Sequence, residues 1–156
     1  MLGRIRALFR STAGGATVEF ALVAPLLITM VLGTIQFGMW MSAYNGLRSA
    51  ADDTGRYVTV RYQQDKIISN FDIAICARNR AIAAPYYLDD GNVTTYVADA
   101  ATQSITGVTE KSLKIVYEMP SILGFADVPD FEMSYTRPLF VKAGGISNDT
   151  GKCDNS

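Results

Sequence analysis

The chain has 156 residues, of which 49% are hydrophobic and 19% charged, with a net charge of -1. That is about one domain, too short for a large multidomain enzyme, too apolar for a wholly disordered polymer, and without the basic field that holds a nucleic-acid backbone. It contains no histidine, so Ser-His-Asp and Cys-His catalysis and histidine-ligated zinc are excluded, and no catalytic residue, metal site or cofactor is expected.

From Phe20 to Leu47 runs a stretch of about 28 residues without a formal charge, against the roughly 20 that a helix needs to cross the hydrocarbon layer. It is expected to span the lipid bilayer, with Trp40 and Tyr44 at the outer interface. A cleavable secretory signal has a shorter apolar stretch, about 7 to 15 residues. Arg4, Arg6 and Arg10 precede the run with no acidic residue before Glu19, which places the N-terminus in the cytoplasm and exports the rest. Glu19 stands at the cytoplasmic edge of the span. A carboxylate at mid-membrane costs about 2.5 to 3.5 kcal/mol, less near the interface, so it either reaches the headgroups or has a partner.

Gly14, four further residues and then Glu19-Phe20 at the head of an apolar helix resemble the processing site of type IV prepilins. More narrowly, Gly15-Ala-Thr-Val-Glu-Phe-Ala-Leu-Val-Ala-Pro25, Gln36-Phe-Gly38, Ala50-Ala51 and Arg56-Tyr57 resemble the TadE-like family, pseudopilins of tight-adherence (Flp) pilus systems, over about the first 60 residues. The resemblance implies cleavage between Gly14 and Gly15 by a prepilin peptidase, which makes Glu19 the fifth mature residue and Phe20, where related pilins often carry Tyr, the sixth. Cleavage after Gly15 instead would put Glu19 fourth. The implied partners are that peptidase, other pilins and pseudopilins including a second TadE-like protein, and an inner-membrane pilus platform driven by a cytoplasmic ATPase. Independently of the family, removing the leader discards three arginines and frees an amine that a neighbouring subunit's Glu19 can pair with at low dielectric.

Tyr44, Leu47, Ala51, Val58 and Tyr62 recur at helical steps, so the helix is expected to continue past the bilayer as a stalk to about residue 62, with Arg48, Asp52 and Arg56 on a solvated i,i+4 row. Pro25 removes a backbone donor inside it, a candidate helix kink that a membrane helix tolerates. A second helix is expected over 65–83, with Ile68, Phe71, Ile75, Asn79 and Ile82 as its stripe and Pro85 closing it. After the turn at Asp89-Asp90-Gly91-Asn92, short strands are expected around 93–97, at the alternating Leu113, Ile115 and Tyr117, at 131–136 and at 139–141, separated by Pro120, Pro129 and Pro138.

The fold class is therefore α+β, organised as a cytoplasmic basic leader (1–14), a transmembrane and stalk helix (15–62), a periplasmic head (63–143) and a polar tail (144–156). Cys76 and Cys153 both fall in the exported part, where an oxidising compartment lets them join, closing a loop worth about 4 to 5 kcal/mol in the chain-entropy description. The alternative is two free thiols. Gly145 to Cys153 lacks the phosphate-loop spacing, turn chemistry accounts for Asp89, Asp90 and Asn92, and Lys111, Glu110 and Glu118 read as a solvated strand edge. The expected role is structural, a minor pilin or pseudopilin in a bacterial inner membrane or its pilus. The alternative is an uncleaved single-span envelope protein whose head binds a ligand or partner.

Overall fold

In a computed structural model the described residues are 14–102, 105–122 and 129–143. The three leader arginines, Cys153 and the tail lie outside them. Helix α1, Gly15–Gln63, is a single helix of 49 residues. Its chain divides between two compact units, the first ending at Gly38 and the second beginning at Met39.

In the first unit α1 presents many large apolar side chains to its surroundings, Leu22 at 75% exposure and Phe20, Leu26 and Met30 not far behind, while Gln36 near its end is buried. None of its most apolar window is buried. In length and composition the segment can cross a membrane, and so many exposed apolar side chains match lipid rather than water. The helix runs unbroken through Pro25. The Thr29 hydroxyl donates to the Pro25 carbonyl at 2.8 Å and that of Thr34 to the Val31 carbonyl at 2.7 Å, so neither hydroxyl asks for water in an apolar surrounding.

In the second unit the rest of α1 joins helix α2, Asn70–Ile82, and strands β1, Val93–Asp99, β2, Val108–Met119, and β3, Phe131–Lys142. The strands form an antiparallel sheet of order β1-β2-β3. Register sets the core: Val93, Tyr117 and Met133 lie in one row across the sheet, and Thr95, Ile115 and Tyr135 in the next. Leu47, Ala50, Ala51, Val58 and Tyr62 of α1 and Ile73, Ala77 and Ala81 of α2 are buried in the same cluster as Leu113, Ile115, Leu139 and Val141. The expected stripe on α1 is thus present, and it is the core of the head.

Local chemistry fixes the helix ends. After α1, the amide of Lys66 donates to the Arg61 carbonyl and that of Asp65 to the Tyr62 carbonyl, with Asp65 left-handed at φ 59°, the Schellman arrangement that closes a helix. Ser69 caps α2, accepting from the Asp72 amide at 3.0 Å while its hydroxyl donates to the Asp72 carboxylate at 2.6 Å. Residues 65–69 therefore belong to the turn and cap, and α2 starts five residues later than expected. Its buried face also differs. Phe71 is 73% exposed and Ile75 faces out, while Ile73, Cys76, Ala77 and Ala81 face in. Small residues on that face let the helix lie close on the sheet, where the Thr95 hydroxyl reaches the Ala74 carbonyl at 2.8 Å.

The two runs expected at 131–136 and 139–141 are one strand. Pro138 sits within it, in register with Ser112. β3 is an edge strand, and an edge is where a missing ladder donor is tolerated.

Candidate functional site

The residues expected to carry processing lie at the start of α1. Gly15 opens the helix and Glu19 and Phe20 follow within its first two turns, all exposed. Among the described residues, and apart from the chain neighbours and the helix's own backbone, no heavy atom comes within 4 Å of where a Cβ would sit on Gly14 or Gly15. Gly15 and Glu19 are four residues apart and share a helix face. An amine created at Gly15 would stand at the positive end of the helix dipole, where a cation is disfavoured and a carboxylate partner is correspondingly valuable.

In the head, a second set of polar groups surrounds the exposed side of α1. Asp52 pairs with Arg137 on β3, and Asp53 accepts a hydrogen bond from the Tyr86 hydroxyl at 2.6 Å. That bond, with burial and the Asp53 charge behind it, pushes Tyr86 up to about 12. Gly55 lies beneath the Arg137 side chain; a Cβ there would stand 2.8 Å from its Nε and 3.1 Å from Leu139 Cδ2. The absent side chain is what lets β3 send its arginine across α1. Tyr57 lies under two guanidinium groups, Arg61 at 5.2 Å and Arg80 at 5.1 Å from the ring centroid, and Arg61 Nε donates to its hydroxyl at 2.9 Å. A cleft of about 290 Å³ is lined by Asp53, Arg56, Tyr57, Val60 and Arg80.

At the far end of the sheet Lys111 is only 8% exposed, its ammonium donating to Asn70 Oδ1 at 2.7 Å and to Asp99. The Lys111 hydrogen bond, helped by Asn70 and opposed by burial, holds the Asp99 carboxyl below its ordinary value. Lys111 thus differs from the solvated strand edge expected of it. β2 is the central strand, and residue 111 shares the inward parity of Leu113 and Ile115, a signal present in the alternation itself. Glu118 does face out. Tyr62, whose hydroxyl donates to the Ile68 carbonyl at 3.1 Å, has its pKa raised by burial first and by Asp99 second.

The solvated row on α1 is also redrawn. Arg48 and Arg56 are exposed as expected, but Asp52 leaves the row for Arg137. Nothing in the sequence near Asp52 announces a partner 85 positions away. Trp40 and Tyr44, expected at the outer interface, stack at 6.1 Å, and Tyr44 meets Tyr135 edge-on at 6.5 Å. Both pack against the core. Cys76 is fully buried and in disulfide form, and the partner expected for it, Cys153, lies outside the described residues. Among the described residues, no three His, Cys, Asp or Glu side chains converge as metal ligands would.

Residues 14–56 match the family model described as TadE-like protein. The matched segment covers Gly14, Glu19, Phe20 and Pro25 together with Asp52, Asp53 and Gly55 of the head. No curated protein and no solved structure matches the chain.

Proposed function

We propose, from the TadE-like character of residues 14–56, that the protein is a minor pilin or pseudopilin that is trimmed after Gly14 and joins the assembly of a tight-adherence pilus. The observation that carries this reading is an α1 whose first unit exposes large apolar side chains from Val18 to Phe37, with one acid, Glu19, at its head. In water such a surface is a liability; in lipid, and then among neighbouring helices, it is a packing surface. A lone carboxylate in that surrounding gains most from a cation brought by another subunit. The freed amine of Gly15 is such a cation. It lies one turn from its own Glu19, so the pairing sets a register when it forms between subunits rather than within one.

In this reading the chain is a single-pass protein with a cytoplasmic N-terminus and a periplasmic head, in the bacterial inner membrane before assembly. Its role is structural, and its partners are the prepilin peptidase, a second TadE-like protein, other pilins and the inner-membrane platform. Pro25 gives the span a place to flex as it leaves the bilayer, and a bond from Cys76 to Cys153 ties the tail to the head. The test is Glu19→Ala in the native host. Membrane fractions are expected to retain the variant at normal levels, while crosslinked complexes with the other pilins fall by about tenfold, the loss of about 1.4 kcal/mol from one partly desolvated pair. Undiminished crosslinking would refute the pairing role.

A further inference from the structure

We infer that the outer edge of β1 is a strand-docking site, taking an extended, uncharged segment of a partner protein that carries apolar side chains at alternate positions. The inference does not rest on trimming or on a pilus.

The sheet has two edges, and they differ. The Ala143 amide donates to the Gly107 carbonyl at 2.9 Å, which continues the pairing of Lys142 with Val108. Odd-numbered residues of β3 therefore turn their backbone groups to β2, and even-numbered ones turn theirs to the open side. Pro138 removes a donor from that side, and exposed Glu132 and Lys142 put charge beside it. Both devices discourage a further strand. On β1 the Ala100 amide donates to the Glu110 carbonyl at 2.8 Å, in line with the pairing of Asp99 with Lys111. Here the even-numbered residues face β2, and the amides and carbonyls of Val93, Thr95, Val97 and Asp99 face outward. Among the described residues no backbone group outside the sheet bonds to them. Neither proline nor charge interrupts Val93 to Ala98, a run rich in residues that favour extended backbone.

α2 gives that edge an apolar rim. It lies antiparallel along β1, where Asn70 reaches Asp99, the Ala74 carbonyl accepts from Thr95 and Arg78 pairs with Asp90. Arg80 marks the side of α2 toward α1, over Tyr57. At about 3.6 residues per turn, Phe71 and Ile75 follow the row 70, 74, 78 on the side away from Arg80, which puts them over the outer edge of β1. Both are exposed, Phe71 at 73%. One added strand accounts for the apolar pair and the unguarded edge together. Its backbone bonds to Val93, Thr95 and Val97, and every second side chain meets Phe71 and Ile75. Charge narrows what fits. Asp90 and Asp99, at the two ends, are already paired with Arg78 and Lys111, so a charged segment finds no counter-ion along the edge and an uncharged one loses nothing. A second copy is not that strand. A twofold join of two β1 edges is antiparallel and sets the heads end for end, whereas copies anchored in one membrane by the same N-terminal segment start side by side.

The full-length protein in detergent micelles is titrated with a fluorescein-labelled, end-capped peptide of residues 92–98, an uncharged strand with Val93, Thr95 and Val97 at alternate positions. Saturable anisotropy is expected. At saturation the Thr95 and Val97 amides are expected to exchange with deuterium about tenfold more slowly by NMR, while those of Thr94 and Tyr96, bonded to β2, do not change. The peptide carrying Val97→Pro is expected not to bind. Phe71→Ser in the protein is expected to weaken binding about tenfold without moving the unfolding transition, since that ring is buried only by the added strand. Absence of binding would overturn the inference, as would binding that leaves exchange at Thr95 and Val97 unchanged or that Phe71→Ser leaves at full strength. Amides at 95 and 97 that are already slow without peptide, and quicken on dilution, would overturn it in favour of a second copy. None of these readouts depends on processing at Gly14, so the pilus reading stands or falls separately.

Discussion

Two glycines of α1 separate the effects that a helix glycine can have. Gly46 and Gly55 both forfeit about 0.8 to 1 kcal/mol of helix propensity relative to Ala. At Gly46 an added Cβ meets only ordinary contacts, whereas at Gly55 it meets Arg137 Nε at 2.8 Å, and Arg137 is held by Asp52. Gly46→Ala is therefore expected to stabilise the head by about 0.5 to 1 kcal/mol, and Gly55→Ala to destabilise it by about 1 to 2 kcal/mol, the overpacking cost exceeding the propensity gain; denaturant unfolding of each variant measures both. Tyrosine 86 supplies a pH signature. Its folded value near 12 lies above the ordinary 10, so the folded state holds that proton more tightly. Its contribution is complete below pH 10 and is lost as pH rises toward 12. Ultraviolet titration should show one late-ionising tyrosine that Tyr86→Phe removes. The opposite sign holds for Asp99. Its lowered value makes a stabilising contribution that is present at neutral pH and lost as pH falls through the folded value, beneath 3.8. Lys111→Met should return the Asp99 carboxyl toward 3.8 in an NMR titration, with little change in stability because Asp99 is more than half exposed.

At the scale of elements, what could be read in advance was whatever depends on near neighbours in the chain. The stripe on α1 and the alternation on β2 each follow from one element's own periodicity, and both lie where the residues put them. α2 was harder because its most apolar residues are not its inner ones. Phe71 and Ile75 advertise a stripe, but the close approach to β1 selects Ala77 and Ala81 instead, and that selection is made by the sheet. Pro138 reads locally as a boundary, and it is tolerated within β3 because tertiary order leaves that strand at an edge. The pairs Asp52 with Arg137, Asp53 with Tyr86 and Lys111 with Asp99 and Asn70 join distant elements, so no local pattern marks them except the inward parity of Lys111. The C-terminal turn of α1 offers an element-level test. Asp65 is left-handed, a conformation that glycine adopts without steric cost, and its exposed ion pair with Lys142 is worth about 0 to 1 kcal/mol. Asp65→Asn, which keeps the left-handed tolerance and removes the charge, should change unfolding free energy by less than about 0.5 kcal/mol. A larger loss would mean that the ion pair, rather than the turn, closes the helix.

For the whole molecule, one helix serves two solvents. Its first unit exposes large apolar side chains from Val18 to Phe37, and its second buries a stripe of Leu47, Ala51 and Val58 against a sheet and a second helix. The sequence motif at residues 14–20 marks the first use, and helical spacing after residue 44 marks the second. The disulfide belongs to this scale as well. If Cys76 holds Cys153, reduction of the unmodified protein should slow its migration on denaturing gels and lower its melting temperature. The most direct test of the central claim is the intact mass of the protein extracted from its native membrane in a host with an active prepilin peptidase. A mass short by residues 1–14, with Gly15 at the new N-terminus, is the predicted result. A full-length mass from that membrane would contradict it.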